Sequence, residues 1–255
     1  MVLQVTFTPA HARRFFYALI CVDVLFQVLC TTSTLVGEPS RVFQRWISLN
    51  EEANIPTWFS SSQLLMVAGA LAVAALYGNL SRGPSRKLLY ALSAVFAFFS
   101  MDDTAMIHEG TNTILSQYPW LPAFKHGKGF WILPYLCIGT GVFLFIRRDL
   151  LAMWKRFRLE GFLIAGGFAI SVIGAAGLEA FGYQFLTRHG SGVWIYRIEE
   201  AIEDAMELGG ETISLYGALL LAIKLLSVTD TRPAAQQARE LASAPERQGA
   251  PISAG

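Results

Sequence analysis

Long apolar runs alternate with short polar connections along most of the chain. Each run is close to the length of about 20 residues that an α-helix needs to cross about 30 Å of hydrocarbon. Six blocks follow this pattern, at Phe15 to Val36, Trp58 to Leu80, Leu88 to His108, Phe130 to Ile146, Gly161 to Leu186 and Ile198 to Leu226. The fourth is the shortest. The pattern predicts an all-α polytopic integral membrane helix bundle with about six transmembrane helices. Composition agrees, since 53% hydrophobic side chains against 15% charged ones lies outside the range of soluble domains.

The basic pair Arg13 and Arg14 ahead of the first block is compatible with a signal peptide. The apolar run is longer than a usual signal core and no small-x-small site closes it, so a retained anchor is the better reading. Residues 1–227 then form one transmembrane domain. The Ala-, Pro-, Gln- and Arg-rich segment 228–255 is expected to be a disordered cytoplasmic tail. Cys21, Cys30 and Cys137 lie inside spans, form no CxxC pair, and read as packing residues.

Most of the 20 basic residues fall in segments that share one side if the N-terminus is inside, among them Arg86, Lys87, Arg147, Arg148, Lys155, Arg156, Arg158 and Lys224. Cytoplasmic loops retain such an excess, so both termini are expected in the cytoplasm. Acids are distributed the other way, and the net charge of +1 conceals a basic inner face and an acidic outer one. Carboxylates influence insertion weakly, so topology alone does not account for the outer acidity.

Two blocks carry most of these acids. On the sixth, Glu200, Asp204, Glu207 and Glu211 fall along one helical line that Ser214 extends inward, with Glu203 at its edge. Glu199 points away and is expected to face solvent or headgroups. On the third, "SMDDTAMIHEG" supplies Asp102, Asp103, His108 and Glu109. Asp102 and Glu109 align on a continuous helix, whereas Asp103 and His108 flank that line on opposite sides. A site using all four therefore requires the helix end to unwind or two neighbouring helices to share them. Counting depth from the cytoplasmic ends places Asp102 and Asp103 level with Glu207 and Glu211. Glu179 in the fifth block could approach the same level. Gly167, Ser171 and Ala175 form a small-residue seam in that block, and Gly209 and Gly210 allow similar closeness on the sixth.

Crowded carboxylates in a low dielectric need a divalent cation, protons, or a static polar network to offset their charge. Charged groups one or two turns inside apolar runs are costly and usually functional. The leading expectation is a divalent metal site, for Zn, Fe or Mn, built from Asp102, Asp103, His108, Glu109, Glu200, Glu203, Glu207 and Glu211. His126 and His189 are possible further ligands. Asp23 and Gln27, one turn apart in the first block, are expected to hydrogen-bond across helices.

No HExxH, Glu-x-x-His pair, GxSxG, P-loop, GxGxxG or CxxCH occurs, and no internal repeat is evident. The residues thus point to an integral membrane protein, with the bacterial inner membrane as its expected location. Its outward-facing Asp/Glu/His site would serve a metal-dependent enzyme acting on a lipid-soluble or extracytoplasmic small molecule. A proton- or cation-coupled transporter is the first alternative. A non-catalytic subunit that binds a partner helix through its polar stripe is the second. The expected partner is the lipid bilayer, not nucleic acid, and oligomeric state is left open.

Overall fold

The computed structural model describes residues 7–36, 45–47, 49, 53–80, 83–118, 120–121, 129–178, 180–181 and 193–227. The segment 228–255, Glu179, His126 and His189 lie outside them. Among the described residues 88% are helical and none is in a strand.

Among the described residues seven α-helices carry the fold: α1 (Pro9–Val36), α2 (Ile55–Tyr77), α3 (Arg86–Ala105), α4 (Ile107–Leu115), α5 (Ile132–Arg156), α6 (Arg158–Val172) and α7 (Val193–Ser227). A π-helical turn, Ile173–Leu178, continues α6. Their starts are written locally. The Asn54 side chain accepts the Thr57 N–H ahead of α2, and Pro56 occupies the first turn, where its missing donor costs nothing. Ser85 accepts the Leu88 N–H at the start of α3.

Five of these segments, α1, α2, α3, α6 with its π turn, and α7, are long and apolar enough to cross a membrane. The fourth apolar block instead belongs to a 25-residue helix that continues through Arg147, Arg148 and Asp149 to Arg156. Its apolar part ends at Ile146, which is why α5 does not join the other five on composition.

Helices α1 and α6 run antiparallel to α7, and α2 runs parallel to it. Phe16 of α1 stacks near Tyr216 of α7 with centroids 4.8 Å apart, and Gln27 donates to the Ala201 carbonyl at 2.9 Å. The Asn79 N–H after α2 donates to Leu225 O at 2.9 Å. Glu160 in the first turn of α6 pairs with Lys224 in the last turn of α7. The start of α1, the end of α2, the start of α6 and the end of α7 therefore share one end of the bundle.

Between α6 and α7 the backbones touch. A Cβ on Gly167 would fall 2.5 Å from Gly210 O, and one on Gly210 would fall 2.5 Å from Gly167 O. The expected small-residue seam is thus present, and Gly210 rather than Gly209 occupies it, since Gly209 faces open space. Beyond Ser171 the π turn shifts the register, and Gly174 rather than Ala175 meets the Glu203 carbonyl and the Glu207 side chain.

Candidate functional site: a carboxylate and hydroxyl junction

The third apolar block is not one helix. Met106 adopts φ 54°, ψ 41°, the left-handed region, so α3 stops at Ala105 and α4 restarts at Ile107. The seven-residue alignment of Asp102 with Glu109 is lost at this break, and Glu109 sits exposed on α4. His108 instead folds back onto Asp102. The buried Asp102 accepts the His108 backbone N–H and the Tyr135 hydroxyl at Oδ1, both at 2.8 Å, while His108 Nδ1 lies 3.3 Å from Oδ2. Trp131 presents its ring to both His108 and Tyr135, with centroids 5.4 and 5.3 Å away. One carboxylate thereby ties α3, α4 and α5 together.

Asp103 faces the other way, toward α2 and α7. The Ser60 hydroxyl of α2 lies 2.8 Å from Asp103 Oδ2 and 3.0 Å from Glu211 Oε1. The expected level match between the two acidic helices holds for this pair, through a serine that the acid pattern did not single out. Glu211 is buried, and the charges of Asp103, Glu207 and Asp23 all act on it. Its second oxygen, Oε2, is buried without a hydrogen-bond partner among the described residues.

One residue along α7, a second junction reaches α1. The Thr212 hydroxyl lies 2.8 Å from Asp23 Oδ2 and 2.7 Å from Gln63 Oε1, and all three side chains are buried. The cross-helix bonding expected of Asp23 and Gln27 is therefore present, to Thr212 and Gln63 for one and to Ala201 O for the other. Beside these junctions, Ser61 and Ser100 bond to each other and to each other's carbonyls, joining α2 to α3.

The remaining acids of α7 form a separate group nearer its start. Asp204 lies within the fields of Glu200 and Glu199, and Cys30 of α1 within those of Asp204 and Glu200. Glu199 is buried, contrary to the expectation that it faces solvent or headgroups. Position on a helical wheel says nothing about neighbours, and α7 packs against α1, α2, α6 and the π turn at once.

The eight residues expected at a divalent metal site do not all meet at one point. Asp102 and His108 form one pair, Asp103 and Glu211 another with Glu207 near enough to act on Glu211, Glu200 lies near Asp204, the Glu203 carbonyl faces Gly174, and Glu109 is exposed. No group of three or more His, Cys, Asp or Glu side chains converges to hold a metal ion among the described residues. Ser60, Gln63, Thr212 and Tyr135 are the contributors that the acidic pattern missed. The signal for the first two was a polar "SSSQ" inside an otherwise apolar span.

A family model described as a domain of unknown function, DUF8692, matches residues 16–242. The chain belongs to this family. The DUF8692 match takes in both hydroxyl-bridged junctions and the Asp102 and His108 pair. No curated protein and no solved structure matches the chain.

Proposed function

We propose that this chain is an integral membrane protein that couples the movement of protons or small cations to its conformation, through carboxylates at the meeting of α2, α3 and α7. The observation that carries the reading is Ser60, held within hydrogen-bond distance of acids from two other helices. Intramembrane carboxylates that face the bundle interior are characteristic of ion and proton pathways. Here they are threaded by hydroxyls, which can pass a proton or coordinate a bare cation.

The proposed topology has six crossings, both termini in the cytoplasm, and the junction in the outer leaflet. Two contacts support counting α5 as the sixth crossing. Tyr135 meets Asp102 near one end of α3, while Lys87 donates to Phe145 O at 3.2 Å at the other, so α5 runs antiparallel along α3. Arg14, Lys87, Arg156, Arg158 and Lys224 are exposed and belong to the helix ends opposite the acidic ones, as a cytoplasmic face requires. The proposed location is a bacterial inner membrane.

The test is purified protein in liposomes under imposed proton, sodium or potassium gradients. Flux above protein-free vesicles, lost in Glu211→Gln, supports the reading. Absence of flux under all three gradients sinks it.

A metal-dependent enzyme is the second reading, and one observation favours it. Asp102 faces His108 Nδ1, the arrangement by which a carboxylate orients an imidazole so that its other nitrogen serves as base or ligand. Stoichiometric Zn, Fe or Mn in the purified protein, lost in His108→Ala, would favour this reading over transport.

A further inference from the structure

We propose that Asp103, Ser60 and Glu211 together bind one proton beyond the hydroxyl's own, and that this proton passes between α3 and α7 through the serine. The proposal rests on the ion-handling reading of the same junction and names the ion.

Hydrogen counting gives the first argument. Ser60 Oγ lies 2.8 Å from Asp103 Oδ2 and 3.0 Å from Glu211 Oε1, but a hydroxyl has one hydrogen to donate. When it donates to one carboxylate, the other contact is a hydrogen bond only if that carboxyl brings a hydrogen of its own. Two ionised carboxylates would leave two oxygens facing each other with nothing between them.

The second argument is independent of those distances. Glu211 is 4% exposed, and its Oε2 is buried with no hydrogen-bond partner among the described residues. An ionised carboxylate spreads its charge over both oxygens, and each then demands donors when taken out of water. A protonated carboxyl makes a smaller demand, because Oε2 becomes the carbonyl oxygen of a neutral acid while Oε1 carries the hydrogen toward Ser60. Asp103 on α3, Glu207 on its own helix and Asp23 on α1 act on Glu211, and all three are acids.

Transfer conserves atoms and charge. With the proton on Glu211, its Oε1–H donates to Ser60 Oγ, and the Ser60 O–H donates to Asp103 Oδ2, which carries the negative charge. If the Glu211 hydrogen moves to Oγ as the serine hydrogen moves to Oδ2, Asp103 becomes the neutral acid. Glu211 then holds the charge. The serine is a hydroxyl before and after.

Infrared difference spectroscopy of the full chain in lipid nanodiscs at neutral pH tests this. Parent minus Glu211→Gln, and parent minus Asp103→Asn, should each show a protonated-carboxyl C=O band that shifts in heavy water. Either amide supplies the missing hydrogen from its nitrogen, so each substitution removes the need for the extra proton. Ser60→Ala should keep the band and move its frequency. If both differences contain only ionised-carboxylate bands, the proposal is wrong, and should one variant not fold, the other decides. A protonated band without ion flux leaves the proton site standing and removes the transport reading. Flux without the band does the reverse.

Discussion

Two buried glutamates, Glu160 at one end of the α6 and α7 pair and Glu211 near its middle, are treated differently by their surroundings. Glu160, 1% exposed in the first turn of α6, meets the ammonium of Lys224. Glu211, 4% exposed, meets a hydroxyl and lies within the fields of three further acids. The first arrangement is a closed ion pair that fastens α6 to the end of α7. On the proposed reading the second takes up a mobile charge, which is what a site needs if protonation or cation binding is to alter the packing of α2, α3 and α7. The same residue type on neighbouring helices is thus a fastener in one place and a titratable element in the other.

The largest expected effect breaks the fastener. Lys224→Met leaves the Glu160 carboxylate buried and unpaired. Removing one partner of a buried pair costs about 3–5 kcal/mol, and the half-exposed lysine places this pair toward the low end, about 3 kcal/mol. Adding Glu160→Gln to that variant should restore most of the loss. Thermal unfolding in mild detergent across the two single variants and the double measures this, and additive losses would show that the pair does not hold the helices together.

Next comes the contrast itself. Glu211→Gln should leave the unfolding temperature equal to the parent's or higher, because a neutral amide is cheaper to bury than a carboxylate among acids. It should abolish proton or cation flux in liposomes. Glu160→Gln should do the opposite, lowering stability while flux per folded molecule persists. If both variants lose flux equally at equal stability cost, the two glutamates do not play different roles.

A smaller effect is expected at the turn around Met106 between α3 and α4. Tyr135→Phe deletes one of the hydrogen bonds to Asp102 and leaves those from His108 in place. A hydrogen bond to a charged group contributes about 1.5–3 kcal/mol, so a loss of about 1.5 kcal/mol is expected with one partner group removed. Because Asp102 caps the start of α4, the His108 amide should exchange hydrogen faster in this variant. Unchanged exchange would mean that α5 does not steady the turn at Met106.

What was legible in the sequence divides along the same physical line. Apolar run length depends on one segment at a time, so the long membrane-compatible helices could be read directly, and so could the small residues at Gly167 and Gly210 that let two backbones meet. Three features depend on what lies across a contact. Met106 breaks the third block without a Gly or Pro to announce it, because Asp102 supplies the cap from within the same chain segment. Glu199 is buried because α7 has neighbours on several sides. Ser60 drew no notice because serine is common in membrane helices, and only the positions of Asp103 and Glu211 give it a role. Depth matched Asp102 and Asp103 to Glu207 and Glu211, but depth does not determine which face of which helix turns inward, and the helix faces separate the eight acidic and histidine candidates into groups.

The smallest effects concern three consecutive serines, and they isolate context from residue type. Ser60, Ser61 and Ser62 point in successive directions about 100° apart around α2. Ser61 is bonded to the Ser100 carbonyl and hydroxyl, so Ser61→Ala should cost about 1 kcal/mol, the net value of a buried neutral hydrogen bond. Ser62 donates only to Trp58 O on its own helix, a bond that competes with the helix ladder, and Ser62→Ala should leave stability within about 0.5 kcal/mol of the parent. Ser60→Ala should match Ser62→Ala in unfolding temperature, because the charge it serves can be offset by a proton. It should differ from both neighbours in flux, slowing proton movement several-fold by removing the atom between the two acids. Parallel unfolding and flux measurements on the three variants, each the same chemical change, decide the matter. If Ser60→Ala falls with Ser62→Ala in flux as well as in stability, the hydroxyl between Asp103 and Glu211 is a packing contact and the ion-handling reading loses its carrier.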